Sequence, residues 1–398
     1  MSQSSSFSPK KSRSSGRSPK RGKREEPMNI PHTRPWFPES MRRDILADLD
    51  KVMASGQLMG GEFSKTLERQ YAERTQTGFG VSLATATTGL QIALRYSGVA
   101  GGEVLVPAAS FITDVSAVQM EGATPVLVDV DPQTLSFDLA DLENKLTDRT
   151  KAIVWVHLIG YIAENYQDIQ NFAAQHNLFL IEDASHAHGA AIDGKPAGSL
   201  GDVGVFSFYP TKIMTTGTGG MLVTDDSALS DYAKSLRLFG KDLQTGEIVH
   251  RGNDWFMDEF RACIGVHQAR HLDEILSRRR AAVSRYHELL RDCNYLRFLS
   301  PSTHNQPAWY QFPVFADDGI DAEKVRRKMG ERNIACKLIY RPIHKEVLFE
   351  TLSQPGLSKA ENALKQSLCL PLFADITEDE IETSAKALME ILSEEAGV

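Results

Sequence analysis

An α/β fold is the class this sequence predicts: a large lobe built on a mostly parallel sheet flanked by helices, then a smaller C-terminal α/β lobe. Three observations lead there. Short apolar runs bounded by Gly and Pro read as buried strands, at Val104–Val106, Val126–Val130, Ile153–Val156, Leu178–Ile181 and Val203–Phe208. Helical stretches separate several of them at the crossover lengths, roughly a dozen residues or more, that parallel strands need. After Thr224 the pattern turns helical, and from Tyr295 it changes to short strands and helices.

In chain order, residues 1–27 are Ser, Lys, Arg, Gly and Pro with almost nothing apolar except Phe7, so they predict a disordered basic tail. Its Ser8-Pro9-Lys10-Lys11 and Ser18-Pro19-Lys20-Arg21 could lie along a phosphate backbone, but a solvated tail is the simpler reading. The large lobe is assigned to 28–277, with an N-terminal arm over 28–56 and the small lobe over 278–398. Prolines keep 31–38 extended. Helices follow at Met41–Met53, ended by Ser55-Gly56, and at Phe63–Arg74. Ser82 to Leu90 leads into a helix reaching Tyr96; its small hydroxyl residues leave backbone N–H groups free for an anion. Further helices are read at Ser110–Met120, Leu139–Leu146 and Leu229–Leu238. A loop spans Phe239–Met257, and one long helical region runs from Asp258 to Leu290. The small lobe offers a strand at Gln311–Phe315 and helices at Asp321–Arg332 and Asp379–Ser393.

Composition narrows the class. The chain has 398 residues, 41% hydrophobic and 24% charged, enough for a sizeable core. A net charge of -8 argues against a body that binds nucleic acid through bulk charge. Cys263, Cys293, Cys336 and Cys369 are scattered, so neither a metal site nor a disulfide framework is indicated, and a reducing, cytoplasmic compartment fits. No apolar stretch approaches the roughly 20 residues of a membrane span.

Chemistry concentrates between Leu180 and Thr224. Asp183 ends one apolar run, and Lys212 follows another in Ser207-Phe208-Tyr209-Pro210-Thr211-Lys212. An acid and an amine at strand ends can meet in the crevice where open α/β sheets bind ligands. They are the two groups that pyridoxal phosphate needs: an amine for its aldehyde and an acid for its ring nitrogen.

The same stretch resembles the DegT/DnrJ/EryC1/StrS sugar aminotransferases of fold type I. The resemblance rests on Glu182-Asp183-Ala184, Ala187-His188-Gly189-Ala190, Gly201-Asp202, Phe206-Ser207-Phe208 with Lys212, Thr215-Thr216-Gly217 and Gly219-Gly220. It runs from about Pro35 to the C-terminus. It implies a seven-stranded sheet and a homodimer with shared active sites. It implies that Lys212 holds pyridoxal 5'-phosphate and moves the proton, that Asp183 pairs with the ring nitrogen, and that Phe111 stacks on the ring. Ala86-Thr87 and Ser207 would hold the phosphate. His186 would stand near the phenolic oxygen, where the family usually has Gln, and His188 is left as structural. Asn253 or Asp254 would reach the neighbouring subunit's site, although the family's Asn aligns with Asp254, a carboxylate poorly suited to a phosphate. Thr218 replaces the family's usual Glu. Tyr340, Arg341 and His344 would line the sugar pocket.

The reaction that the resemblance implies transfers an amino group from glutamate, or glutamine, to a keto sugar that is nucleotide-linked. Other family products, such as aminocyclitols or aminohydroxybenzoate, stay open, as does a cofactor-binding regulator. Sugar dehydratases of the family typically lose the lysine that is present here.

Overall fold

The computed structural model describes residues 29–352 and 355–397. The basic tail at 1–27 lies outside them. From its N-terminal side the chain runs α1 (Glu39–Ser55), α2 (Glu62–Thr75), β1 (Phe79–Leu83), α3 (Ala86–Tyr96), β2 (Glu103–Pro107), α4 (Ile112–Met120), β3 (Thr124–Val128), α5 (Leu139–Lys145), β4 (Thr150–Val156), α6 (Tyr166–Gln175) and β5 (Phe179–Asp183). It continues with the short β6 (Ala191–Ile192) and β7 (Lys195–Pro196), then β8 (Val203–Ser207), β9 (Gly220–Thr224) and α7 (Ser227–Arg237). Then come α8 (Glu259–Arg270), α9 (Leu272–Leu290), β10 (Leu296–Phe298), β11 (Asn305–Gln306), β12 (Phe312–Ala316), α10 (Ala322–Glu331), α11 (Ser358–Gln366), β13 (Ser367–Leu370) and α12 (Glu378–Ala396).

Seven strands form the main sheet in the order β1-β9-β8-β5-β4-β2-β3. β8, β5, β4, β2 and β3 are parallel, while β9 is antiparallel to both of its neighbours. The sheet is mostly parallel, as expected, and its central strands are apolar because helices cover both faces. β10, β12 and β13 make a second, three-stranded sheet in the C-terminal part. The boundary expected at 277/278 falls inside α9, which is unbroken from Leu272 to Leu290.

Two helix boundaries are sharpened. The long helical region from Asp258 to Leu290 is made of two helices, with His271 at φ -100 and ψ 4 between them. The α4 helix begins at Ile112 and not at Ser110, because Phe111 is extended (φ -86, ψ 147) as its N-cap.

The parallel order sets the site. The C-terminal ends of β5 and β8 lie side by side, with Asp183 paired to Val205 in register. The loops that leave these ends, together with the start of α4, enclose one crevice.

Candidate active site

The loop after β8 holds Lys212. Its ends are stapled: Phe208 N donates to the Gly219 carbonyl at 3.0 Å, and Thr216 N and Thr215 Oγ1 donate to the Phe208 carbonyl at 3.1 and 2.9 Å. Inside it, Lys212 N donates to the Tyr209 carbonyl at 3.0 Å. The side chain turns inward, with Nζ 4.7 Å from the centre of the Tyr310 ring. Burial lowers the Lys212 pKa to about 8, against an opposite pull from Asp183 and Asp114. Each acid opposes the shift only while it is ionised, and among the described residues neither forms an ion pair with the amine.

Asp183 is buried at the end of β5, and its Oδ1 accepts from Ser185 N at 2.9 Å. Strand alternation sends the preceding side chain, Glu182, to the other face. There Glu182 accepts from His157 Nε2 (2.7 Å) and from the N–H groups of Gly198, Leu200 and Gly201 (2.8, 2.5 and 2.7 Å). Two consecutive acids thus do different work. Glu182 ties down the loop between β5 and β8, and Asp183 faces the crevice.

A wall of rings closes the crevice. His186 stacks on Tyr310 with centroids 4.1 Å apart and planes at 21°. Ile159 N donates to His186 Nδ1 at 3.3 Å, so the proton sits on Nε2, which lies 3.0 Å from the Tyr340 hydroxyl. Burial, then the charge of Lys212, holds the His186 pKa well below its ordinary value, so the ring is neutral. The Tyr310 hydroxyl is hydrogen-bonded to Thr211 Oγ1 at 2.9 Å and lies near Tyr340. The turn that presents Ile159 N needs Gly160: its φ is +83, and a Cβ there would meet the His186 carbonyl at 2.6 Å. Tyr340 also packs on Phe111 (centroids 5.3 Å apart), and both line a cavity of about 420 Å³ with Ser110, Arg341 and Phe349. Phe111 is 40% exposed into this space and is not a core residue.

The other expected residues spread out from this centre. Ala86 and Thr87 form the first turn of α3, so their N–H groups have no partner inside the helix. Thr85 caps that turn by accepting from Thr88 N at 3.1 Å. Ser207 ends β8; its carbonyl accepts from His188 Nε2 at 2.8 Å. His188 is a structural post, buried between that carbonyl and the Tyr71 hydroxyl at 2.7 Å. Asn253 and Asp254 are exposed, Asn253 Oδ1 accepting from Asp254 N at 2.8 Å, and they do not join Lys212 within this chain. Arg341 is exposed at the cavity rim. His344 is buried, with Nε2 donating to Glu361 at 2.8 Å.

Sequence reasoning missed Asp114, Tyr310 and Thr211. Asp114 lies in the first turn of α4, where an acid reads as an ordinary helix-start residue, and Tyr310 stands almost 100 positions from Lys212, with no local signal.

The donor set fits pyridoxal phosphate. A half-buried lysine whose amine has a lowered pKa and a buried carboxylate lie close enough to couple through charge without forming an ion pair. An exposed aromatic ring flanks them, and a free helix N-terminus suits the phosphate.

Residues 39–389 match the family model described as the DegT/DnrJ/EryC1/StrS aminotransferase family. The chain belongs to this family, whose members are pyridoxal phosphate-dependent aminotransferases. It is 34% identical over 339 residues to the GDP-perosamine synthase of Caulobacter vibrioides, covering 83% of this chain and 91% of that protein. It is 31% identical over 347 residues to the pleiotropic regulatory protein of Geobacillus stearothermophilus, covering 86% of this chain and 92% of that one. The structure matches the crystal structure of the aminotransferase TlmJ from Streptoalloteichus hindustanus with a TM-score of 0.86 and 31% identity, covering 92% of this chain and 99% of that one. No helix among the described residues is long and apolar enough to cross a membrane.

Proposed function

We propose that this aminotransferase moves an amino group from glutamate, or glutamine, to the ketone of a nucleotide-linked sugar. The observation that carries the reading is the half-buried Lys212, its amine lowered in pKa by desolvation, close to the buried Asp183 carboxylate without an ion pair between them. When bound, pyridoxal phosphate supplies an aldehyde that condenses with amines and a ring that stores the electron pair of a deprotonated carbon. Asp183 would hold the proton on the ring nitrogen. Phe111 would cover one face of the ring, and Ser207 with the N–H groups of Ala86 and Thr87 would hold the phosphate. Lys212, with its pKa lowered to about 8, is neutral in a useful fraction of molecules near neutral pH and can take a proton from a substrate carbon at Nζ.

A nucleotide-linked substrate is supported by the name of the relative in Caulobacter vibrioides, which makes a GDP-linked amino sugar. It is also supported by a groove of about 1140 Å³ beyond Tyr340, where Arg326, Lys337, Arg341, Lys345 and Lys365 outnumber Glu323 and Glu361. Cations there suit a diphosphate. A homodimer with shared sites is supported by Phe239, Ile248 and Val249, all exposed on the loop that carries Asn253 and Asp254. This loop is the segment that would reach the partner's phosphate.

The test is incubation of the purified chain with glutamate and a panel of nucleotide-linked ketosugars, with mass detection of the amino product. Product from the wild type and none from Lys212→Ala supports the reading. No product from any ketosugar, with turnover of a cyclitol ketone, moves the chain to the other branch of its family. The name of the relative in Geobacillus stearothermophilus favours a second reading, a cofactor-binding regulator. Salt-sensitive DNA binding that is lost on removing residues 1–27 would support it.

A further inference from the structure

Asp114 has no part in the chemistry above, yet it is 0% exposed and lies against Asp183. It sits in the first turn of α4, three residues after Phe111. Ser110 Oγ donates to its Oδ2, whereas its Oδ1 has no donor among the described residues. Its carboxyl is in hydrogen-bonding contact with that of Asp183. Two ionised carboxylates in that position would repel, and Asp114 Oδ1 would stay a buried acceptor without a donor. One proton between them removes both costs.

We propose that Asp114 is a positioning residue that stays protonated at neutral pH and donates its hydrogen to Asp183, so that the pair carries a single negative charge and aims it into the crevice. The reading rests on the site proposed above only for what Asp183 faces; the shared proton stands on this chain alone. The remaining groups around the pair agree. Lys212 lies across the crevice, the Tyr340 phenol faces both acids, and burial keeps that phenol protonated. Burial first, then the charge of Asp183, pushes the Asp114 pKa well above 3.8.

Two consequences follow for the site. Asp183 loses the freedom to rotate towards Lys212, because one of its lone pairs is held by Asp114 and Oδ1 is held by Ser185 N. The crevice also holds one negative charge and not two, so the Lys212 ammonium is stabilised less and gives up its proton more readily.

The test compares Asp114→Asn, a neutral near-isostere that keeps a donor, with the wild type as the full chain. Infrared difference spectra at pH 7 should show a protonated-carboxyl C=O stretch in the wild type that Asp114→Asn lacks. In cofactor-free chain, the folded wild type should hold one proton more than the unfolded chain above about pH 4. Its folding constant should then fall by about tenfold per pH unit relative to Asp114→Asn. Equal slopes, or no carboxyl band, would overturn the shared proton. The positioning role is read on the cofactor-loaded chain, by the pH midpoint of its visible absorbance. Asp114→Val should move that midpoint and Asp114→Asn should restore it. An unmoved midpoint in folded Asp114→Val leaves Asp114 a packing residue and overturns the role. If Asp114→Val does not fold, Asp114→Ser takes its place under the same criterion. None of the infrared or folding readouts depends on the substrate, so failure of the proposed reaction would leave them standing.

Discussion

Replacing Lys212 by Met should make the cofactor-free chain more stable at neutral pH. Met fills a similar volume and carries no charge. The Lys212 amine titrates at 10.5 when solvated and at about 8 in the folded chain, burial being the main cause. At about 1.4 kcal/mol per pH unit, that gap makes the buried ammonium cost about 3 kcal/mol at pH 7. The sign is fixed by proton counting. Between about pH 8 and 10.5 the unfolded chain keeps a proton that the folded chain has released, so wild-type stability rises with pH through that window. The advantage of Lys212→Met is therefore full below about pH 8, shrinks above it, and is gone beyond 10.5. Urea unfolding of both chains across this range measures it. Reductive methylation of the amine gives an independent reading and should reach half its limiting rate near pH 8. A Lys212→Met chain no more stable than the wild type at pH 7, or an advantage that does not change with pH, would mean that the amine is solvated. The base assigned to the reaction would then lose its physical support.

Asp183→Asn should still bind cofactor but slow amino transfer by two orders of magnitude or more, roughly the weight of an electrostatic partner aimed at developing charge; single-turnover absorbance with glutamate checks it, and near-normal rates would refute the role. Glu182→Ala strands four donors, three of them backbone N–H groups, and should cost at least about 3 kcal/mol in denaturant unfolding. Gly160→Ala forces a Cβ to within 2.6 Å of the His186 carbonyl at φ +83, and should cost about 1–3 kcal/mol. It should also shift the His186 ring resonances, because Ile159 N is the donor that fixes the tautomer.

The strands that carry the site were legible because burial on both faces turns them into unbroken apolar runs, and Asp183 and Lys212 stand where such runs stop. The edge strand β1 was not, since Gly80 interrupts Phe79-Gly-Val-Ser-Leu83; a Cβ there would meet the Glu68 carbonyl at 2.4 Å, a packing reason invisible in the local pattern. β9 was lost for a related reason, because it opens on Gly220, whose Cβ would strike the Thr85 backbone. The helix break at His271 has no Gly or Pro to announce it. Its cause is tertiary, α8 packing on α1 and α2 while α9 turns towards α12.

The site divides along the same line. Side chains on one strand end, or one loop, can be found from the runs around them. Those whose role is to hold another side chain cannot, because their partners are set by the sheet order. Asp114 and Tyr310 reach Asp183 and Lys212 from two separate segments, and each looks ordinary in its own; Tyr340, which reaches His186, was singled out only by the family resemblance. The crevice nevertheless depends on them. With Tyr310 against the amine and Asp114 beside the acid, Lys212 and Asp183 stay unpaired though opposite charges attract, which leaves both groups available to a small aromatic ring.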